Sequence, residues 1–156
     1  GYCFLELGKY IERILNIVNL IRKQWILYGE DLLDNDYSNW RYFLSSVSGY
    51  DFYLRNNLGT MEKERIFYQM IYEPLFPNSI TYSLNELDKF AKQLNSGEQG
   101  ESDETVGFFI GKCIANVQFT RHPRTREEKM LFLARIESDI YEISNIFNHQ
   151  FFGLVV

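Results

Sequence analysis

Glu12 and Arg13 sit side by side between Ile11 and Ile14, in the most hydrophobic helical stretch of this 156-residue chain, and Asp51 sits between Tyr50 and Phe52. A charge on the flank of an apolar face must reach water or a counter-ion, because an isolated buried carboxylate costs several kcal/mol. Three chemistries meet that demand. Glu12 or Asp51 can form a structural ion pair with Arg13, Arg55 or an arginine of another chain. The charges can contact a ligand or partner. The two carboxylates can also work together as acid and base in one water-accessible cleft.

Other residue types offer less. The two histidines, His122 beside Pro123 and His149 near the end, fall in no metal-ligand pattern. A di-iron bundle needs inward glutamates with a histidine three positions on, and the residues three after Glu137 and Glu142 are Ile140 and Asn145. No metal and no cofactor is expected. Cys113 lies in an apolar stripe with no base or cation beside it in sequence, the setting of an inert thiol. The chain contains no glycine-rich phosphate loop, no nucleophile elbow and no Ser or Cys paired with a suitable His, so intrinsic catalysis would need carboxylates and is the less expected outcome. Glu137, Asp139 and Glu142 read as a solvated helix face.

Composition narrows the class further. The net charge of −5 argues against a protein held to nucleic acid by phosphate neutralisation. The aromatic residues, 17% of the chain, fall mostly in apolar stripes, as core residues do, rather than beside basic clusters that track a single strand. No apolar run reaches the roughly 18 residues of a membrane span. The two cysteines, Cys3 and Cys113, are too few for a disulfide framework and suit the cytoplasm. The length is that of one domain, residues 1–156.

The elements that must position these residues follow from apolar periodicity. Phe4, Leu7, Ile11, Ile14, Val18, Ile21 and Trp25 recur at steps of three and four, predicting a long first helix. Leu5, Leu15, Ile17 and Leu20 widen its stripe toward neighbours on two sides, leaving Glu6, Lys9, Arg13, Asn16 and Lys23 as its wet strip. A loop over Asp31–Asn39 precedes a second helix traced by Trp40, Phe43, Leu44, Val47, Tyr50 and Leu54, ending at Asn56–Gly59. Thr60 is placed to cap a third helix carrying Ile66, Phe67, Met70 and Ile71. Pro74 and Pro77 stop it and hold Leu75 and Phe76 in an extended link. Asn78 or Ser79 caps the fourth, with Ile80, Leu84, Leu87, Ala91 and Leu94 on one face. Ser96–Glu104 reads as a mobile acidic loop. Asp103 or Thr105 starts a fifth helix with Val106, Ile110, Cys113 and Val117 on one face, and Gly107 and Gly111 placed for close helix approach. Thr125, with Glu127 and Glu128 in the first turn, starts a sixth helix whose stripe runs Leu133, Ile136, Ile140, Ile143, Phe147 and Phe151. The expected fold class is all-α, an antiparallel bundle of about six helices joined by short links.

The segment Phe4-Leu5-Glu6-Leu7-Gly8-Lys9-Tyr10-Ile11-Glu12-Arg13 resembles the glutamate–arginine signature of the bacterial alpha-E family. Trp40–Arg55 resembles that family's tryptophan-led helix with its Ser-x-Tyr-acid-x-Tyr ending, and Glu73–Ile80 resembles its Pro-x-Ser link. Asp51 stands where glutamate is common in the family, and Tyr2 where tryptophan is. The resemblance covers nearly the whole chain and fits the C-terminal half of a two-repeat member best, which implies a fragment whose missing N-terminal half packs on the first helix. It implies a helical accessory domain of a peptide-ligation or peptide-modification system, acting beside an ATP-grasp ligase-like protein and a transglutaminase-like peptidase that supply the chemistry. Glu12, Arg13, Tyr50, Asp51, Asn78 and Ser79 are the residues expected to contact a ligand or partner. The competing expectations are a purely structural domain that associates with itself or its other half, and an enzyme built on Glu12 and Asp51.

Overall fold

The computed structural model describes residues 1–30, 37–59, 61–94 and 105–153. The expected caps and loop at Thr60, Asp103 and Ser96–Glu104 lie outside these residues, as does most of the expected loop at Asp31–Asn39. Seven helices and no strand occur among the described residues: α1 (Tyr2–Tyr28), α2 (Tyr37–Ser46), α3 (Tyr50–Asn56), α4 (Lys63–Tyr72), α5 (Ile80–Leu94), α6 (Val106–Phe119) and α7 (Arg126–Phe152).

The four long helices form a bundle in which α1 packs on α5 and α7, and α6 closes the ring against the same two. Neighbours run antiparallel. The N-terminal end of α1 meets the C-terminal ends of α5 and α7, through the Cys3 thiol donating to Gln93 Oε1 (3.2 Å) and Phe4 packed edge-on against Phe151 (4.8 Å). Along the α1–α7 seam Arg22 pairs with Glu137 at 3.0 Å. At the α6–α7 seam the Val106 amide donates to Gln150 Oε1 and Asn116 to Asp139. The stripes read from sequence are the buried faces: Leu7, Ile14, Val18, Ile21, Leu84, Leu87, Ile110, Val117, Leu133, Ile136 and Ile140 are all in the core. Glu137 and Asp139 thus face neighbouring helices half-buried, and only Glu142 of the three acids is fully solvated.

Helices α2 and α4 cover the C-terminal end of α1, where Trp25 makes edge-on contacts with Trp40 (4.8 Å), Phe43 (5.9 Å) and Phe67 (5.3 Å). Each such pair adds about 0.5–1.5 kcal/mol beyond the area it buries. Lys129 is 2% exposed; its ammonium donates to Glu64 Oε1 (2.9 Å) and the Arg124 carbonyl (2.7 Å) and lies 5.3 Å from the Phe67 ring centroid. That lysine ties α4 to the start of α7.

The single second helix expected from Trp40 to Leu54 is two. Ser48 takes φ 57°, the Ser48 amide donates to the Ser45 carbonyl (3.1 Å), and the Gly49 amide reaches back to the Leu44 carbonyl (2.7 Å). These are the paired bonds of a helix stop built on one left-handed residue. The break resets the helical phase, so Tyr53 is buried where Leu54 was expected, and Leu54 is 42% exposed. The link after α4 is likewise not extended: Phe76 N–H donates to the Glu73 carbonyl and Ser79 N–H to the Phe76 carbonyl, making two consecutive turns that bury Phe76 and leave Leu75 outside.

Caps agree better. Thr105 caps α6 through the Phe108 amide, and Thr125 with Glu128 forms a reciprocal capping box on α7. The two amides that donate to the Glu128 carboxylate hold it below its usual range. Helix α4 starts from Glu62, whose side chain makes no capping hydrogen bond. Gly111 is exposed and a Cβ there would meet nothing within 4 Å, so it mediates no close helix approach.

Candidate functional site

Helix α1 carries Lys9, Glu12 and Asn16 on its outer face, because positions three and four apart on a helix lie one above the other. Arg13, one step further round, is half-buried with its guanidinium carbon 5.0 Å from the Tyr10 ring centroid. Opposite these side chains stand Ser46 and Val47 at the end of α2, and Asn78 in the turns before α5. Together they enclose a groove of about 280 Å³ floored by Ile17, Leu20 and Val47.

The opposite wall is held by the α2–α3 break. Asn78 Nδ2 donates to the Val47 carbonyl at 2.7 Å, and the buried Gln69 Nε2 donates to the Gly49 carbonyl at 3.0 Å. Phe76 packs beneath, its ring 5.4 Å from that of Phe52. Tyr53, fully buried, accepts a hydrogen bond from the Glu62 amide (2.9 Å) and ties α3 to the start of α4. Segments more than 30 residues apart in sequence are therefore locked into one rim.

Within the chain, the expected structural ion pair of Glu12 or Asp51 with Arg13 or Arg55 does not form among the described residues. Glu12 is exposed and has no ion-pair partner among the described residues, and neither Arg13 nor Arg55 pairs with Asp51. The reason is geometric: adjacent helix positions point about 100° apart, so Glu12 and Arg13 diverge, and Arg13 lies over Tyr10 instead.

Of the six residues singled out from sequence, Glu12, Arg13 and Asn78 line the groove and the other three do not. Tyr50 is half-buried at the other side of the break, its hydroxyl 3.0 Å from that of Tyr37 and its ring 5.2 Å from the Arg41 guanidinium carbon. The Tyr50 hydroxyl contact raises the Tyr37 pKa. Asp51 is exposed in the first turn of α3, where it meets the positive end of the helix dipole. It does not share the groove with Glu12. Ser79 is wholly buried and its hydroxyl is already engaged, accepting from the Tyr82 amide (3.0 Å) and donating to the Glu73 carbonyl (2.5 Å) as the cap of α5.

Sequence reasoning missed Lys9, Asn16 and Ser46 as groove residues. The signal for the first two was their register with Glu12, three before and four after. Ser46 carried no signal, since it enters the rim only because the chain stops at Ser48. Leu5, Leu20 and Leu27 on the same outer face of α1 are exposed by 75%, 41% and 67%. Leu5 and Leu20 were expected against neighbours, but α5 and α7 leave this side uncovered.

What the groove can do is bind. It offers an exposed carboxylate, two cations and two carboxamides over an apolar floor. No helix among the described residues is long and apolar enough to cross a membrane. Neither a curated protein nor a solved structure matches the chain. One family does: Alpha-E, described as a predicted alpha-helical domain with a conserved ER motif, matches residues 1–152. Adjacent glutamate and arginine occur at Glu12–Arg13, on the groove wall, and again at Glu64–Arg65. With the match spanning nearly its whole length, the chain belongs to the Alpha-E family.

Proposed function

We propose that this domain is a non-catalytic accessory module of a bacterial peptide-ligation or peptide-modification system, and that the Glu12–Arg13–Asn78 groove is where it holds a peptide or partner. The carrying observation is Glu12 itself, a carboxylate left without an ion-pair partner among the described residues beside the groove's cations. A peptide segment supplies amide donors and acceptors, and chain-end charges, that match such a wall. In this reading the ligation chemistry belongs to an ATP-grasp ligase-like protein and a transglutaminase-like peptidase in the cytoplasm.

The test is co-purification with the chain expressed in its own cells. Tagged protein should recover an ATP-grasp ligase-like protein, and Glu12→Gln with Arg13→Ala, both at accessible positions, should abolish recovery while leaving the helical circular dichroism unchanged. Failure to recover such a protein with a folded chain counts against the proposal.

A second reading rests on the uncovered leucines of α1. Leu5, Leu20 and Leu27 share the outer face with Glu12, as expected of a helix that docks on a second copy or on a related half. In that case Leu5→Glu with Leu27→Glu lowers the oligomeric state in analytical ultracentrifugation.

A further inference from the structure

On the side of the bundle where α4, α5 and α6 meet, a cleft of about 370 Å³ is walled by the rings of Tyr68, Tyr72 and His122. His122 stacks on Tyr72 at 4.3 Å with the planes 20° apart, and Tyr68 lies 5.8 Å from His122. Asn85 and Gln118 line the same cleft with exposed carboxamides, each able to donate and accept. His122 is also a wall of a second cleft, about 340 Å³, which Arg121 and Arg135 line. Neither arginine has an ion-pair partner among the described residues. The opposing charge there is Glu128, whose Oε2 already accepts from the Arg124 and Thr125 amides.

The two clefts share His122 as a lining residue, and their chemistries are complementary. Aromatic faces with carboxamides at the edge suit a planar heteroaromatic ring that both donates and accepts hydrogen bonds. Two guanidiniums outside any ion pair among the described residues, Arg121 also acting at longer range on Glu128, suit a phosphate, which they can hold through charge-assisted bonds. Each volume falls at the lower end of the range of roughly 300–1,000 Å³ typical of small-molecule sites. The acidic chain disfavours a polyanionic strand, so the occupant is small. We infer that these neighbouring clefts, which meet at His122, together bind a nucleoside monophosphate, its base against Tyr68 and His122 between Asn85 and Gln118, and its phosphate between Arg121 and Arg135.

Isothermal titration calorimetry on the intact chain tests this, with the four common ribonucleoside 5′-monophosphates, adenosine and inorganic phosphate as probes. At least one monophosphate should bind saturably and tighter than adenosine or phosphate by roughly tenfold, the value of one charge-assisted contact. Arg121→Ala with Arg135→Ala, at exposed positions, should remove that advantage and leave adenosine binding unchanged. Tyr68→Ala, at a half-exposed position, should weaken monophosphate and adenosine alike. The inference is overturned if no monophosphate binds, if monophosphate binds no better than phosphate, or if the folded double arginine variant binds as the parent does.

Discussion

Replacing Gly49 by alanine tests how tightly the break between α2 and α3 is packed. A Cβ built on Gly49 falls 2.9 Å from Phe76 Cζ and 3.0 Å from Gln69 Nε2, against about 3.4 Å or more in ordinary contact. Neither neighbour is free to yield. Phe76 is 2% exposed and backed by Phe52, and Gln69 is anchored by its own bond to the Gly49 carbonyl. Relief requires moving the ring or losing that buried bond, so Gly49→Ala should cost roughly 1–3 kcal/mol, the usual range for overpacking. The backbone itself is not the obstacle, since Gly49 has φ −109°. Ser48→Gly next door provides the opposite case: its left-handed φ of 57° suits glycine, and the change should stabilise by about 0.5–1 kcal/mol. Urea unfolding followed by circular dichroism reads both. An alanine variant within about 0.5 kcal/mol of the parent would show that the junction relaxes freely, and the account of how the groove wall is held would be wrong.

Two further outcomes follow from buried groups. The Tyr72 hydroxyl is buried without a hydrogen-bond partner, and burial, then the nearby Tyr68, push its pKa from 10.0 to about 12. The folded chain thus holds this proton more tightly than the unfolded one, so the associated stability is complete below pH 10 and is lost as pH rises toward 12. The full shift corresponds to roughly 2.7 kcal/mol, and solvent screening of the partly buried side chain reduces it to about 1 kcal/mol. Tyr72→Phe should match or exceed parental stability at neutral pH and gain on the parent by about that amount between pH 9.5 and 11.5 in pH-dependent urea titrations; a variant less stable throughout contradicts the reasoning. The Cys113 thiol, pushed up to about 12 by burial and then by Asp139, should resist iodoacetamide at pH 8 until the chain unfolds. Half-buried Cys3 should react first, and mass spectrometry showing equal modification of both would refute the assignment.

Much of the fold was legible because it rests on local rules. The stripes of α1, α5, α6 and α7 are the faces that pack, and Thr105, Thr125 and Ser79 cap the helices they precede. A period of 3.6 residues and a side-chain acceptor before the first turn are properties of neighbouring residues, readable without any partner. The site was legible only in part. Glu12 and Arg13 stand out as charges within an apolar run, yet sequence could not tell that one is exposed and that the other lies over Tyr10. Ser79 looks the same as a capping residue and as a ligand contact until its hydroxyl is seen engaged on both sides.

By itself, then, the sequence determined an all-helical chain with its core faces, most of its caps and its family. Tertiary structure alone decided the stop at Ser48, the turns that bury Phe76, the approach of Asn78 to Val47 and the place of Lys129 against Glu64. Each of these is a balance between a local cost and a long-range contact. A left-handed serine is disfavoured locally and is held by the Leu44 and Ser45 carbonyls and by Gln69 acting on the adjacent glycine. Such contacts join residues that only packing brings together, and periodicity along the chain carries no record of them.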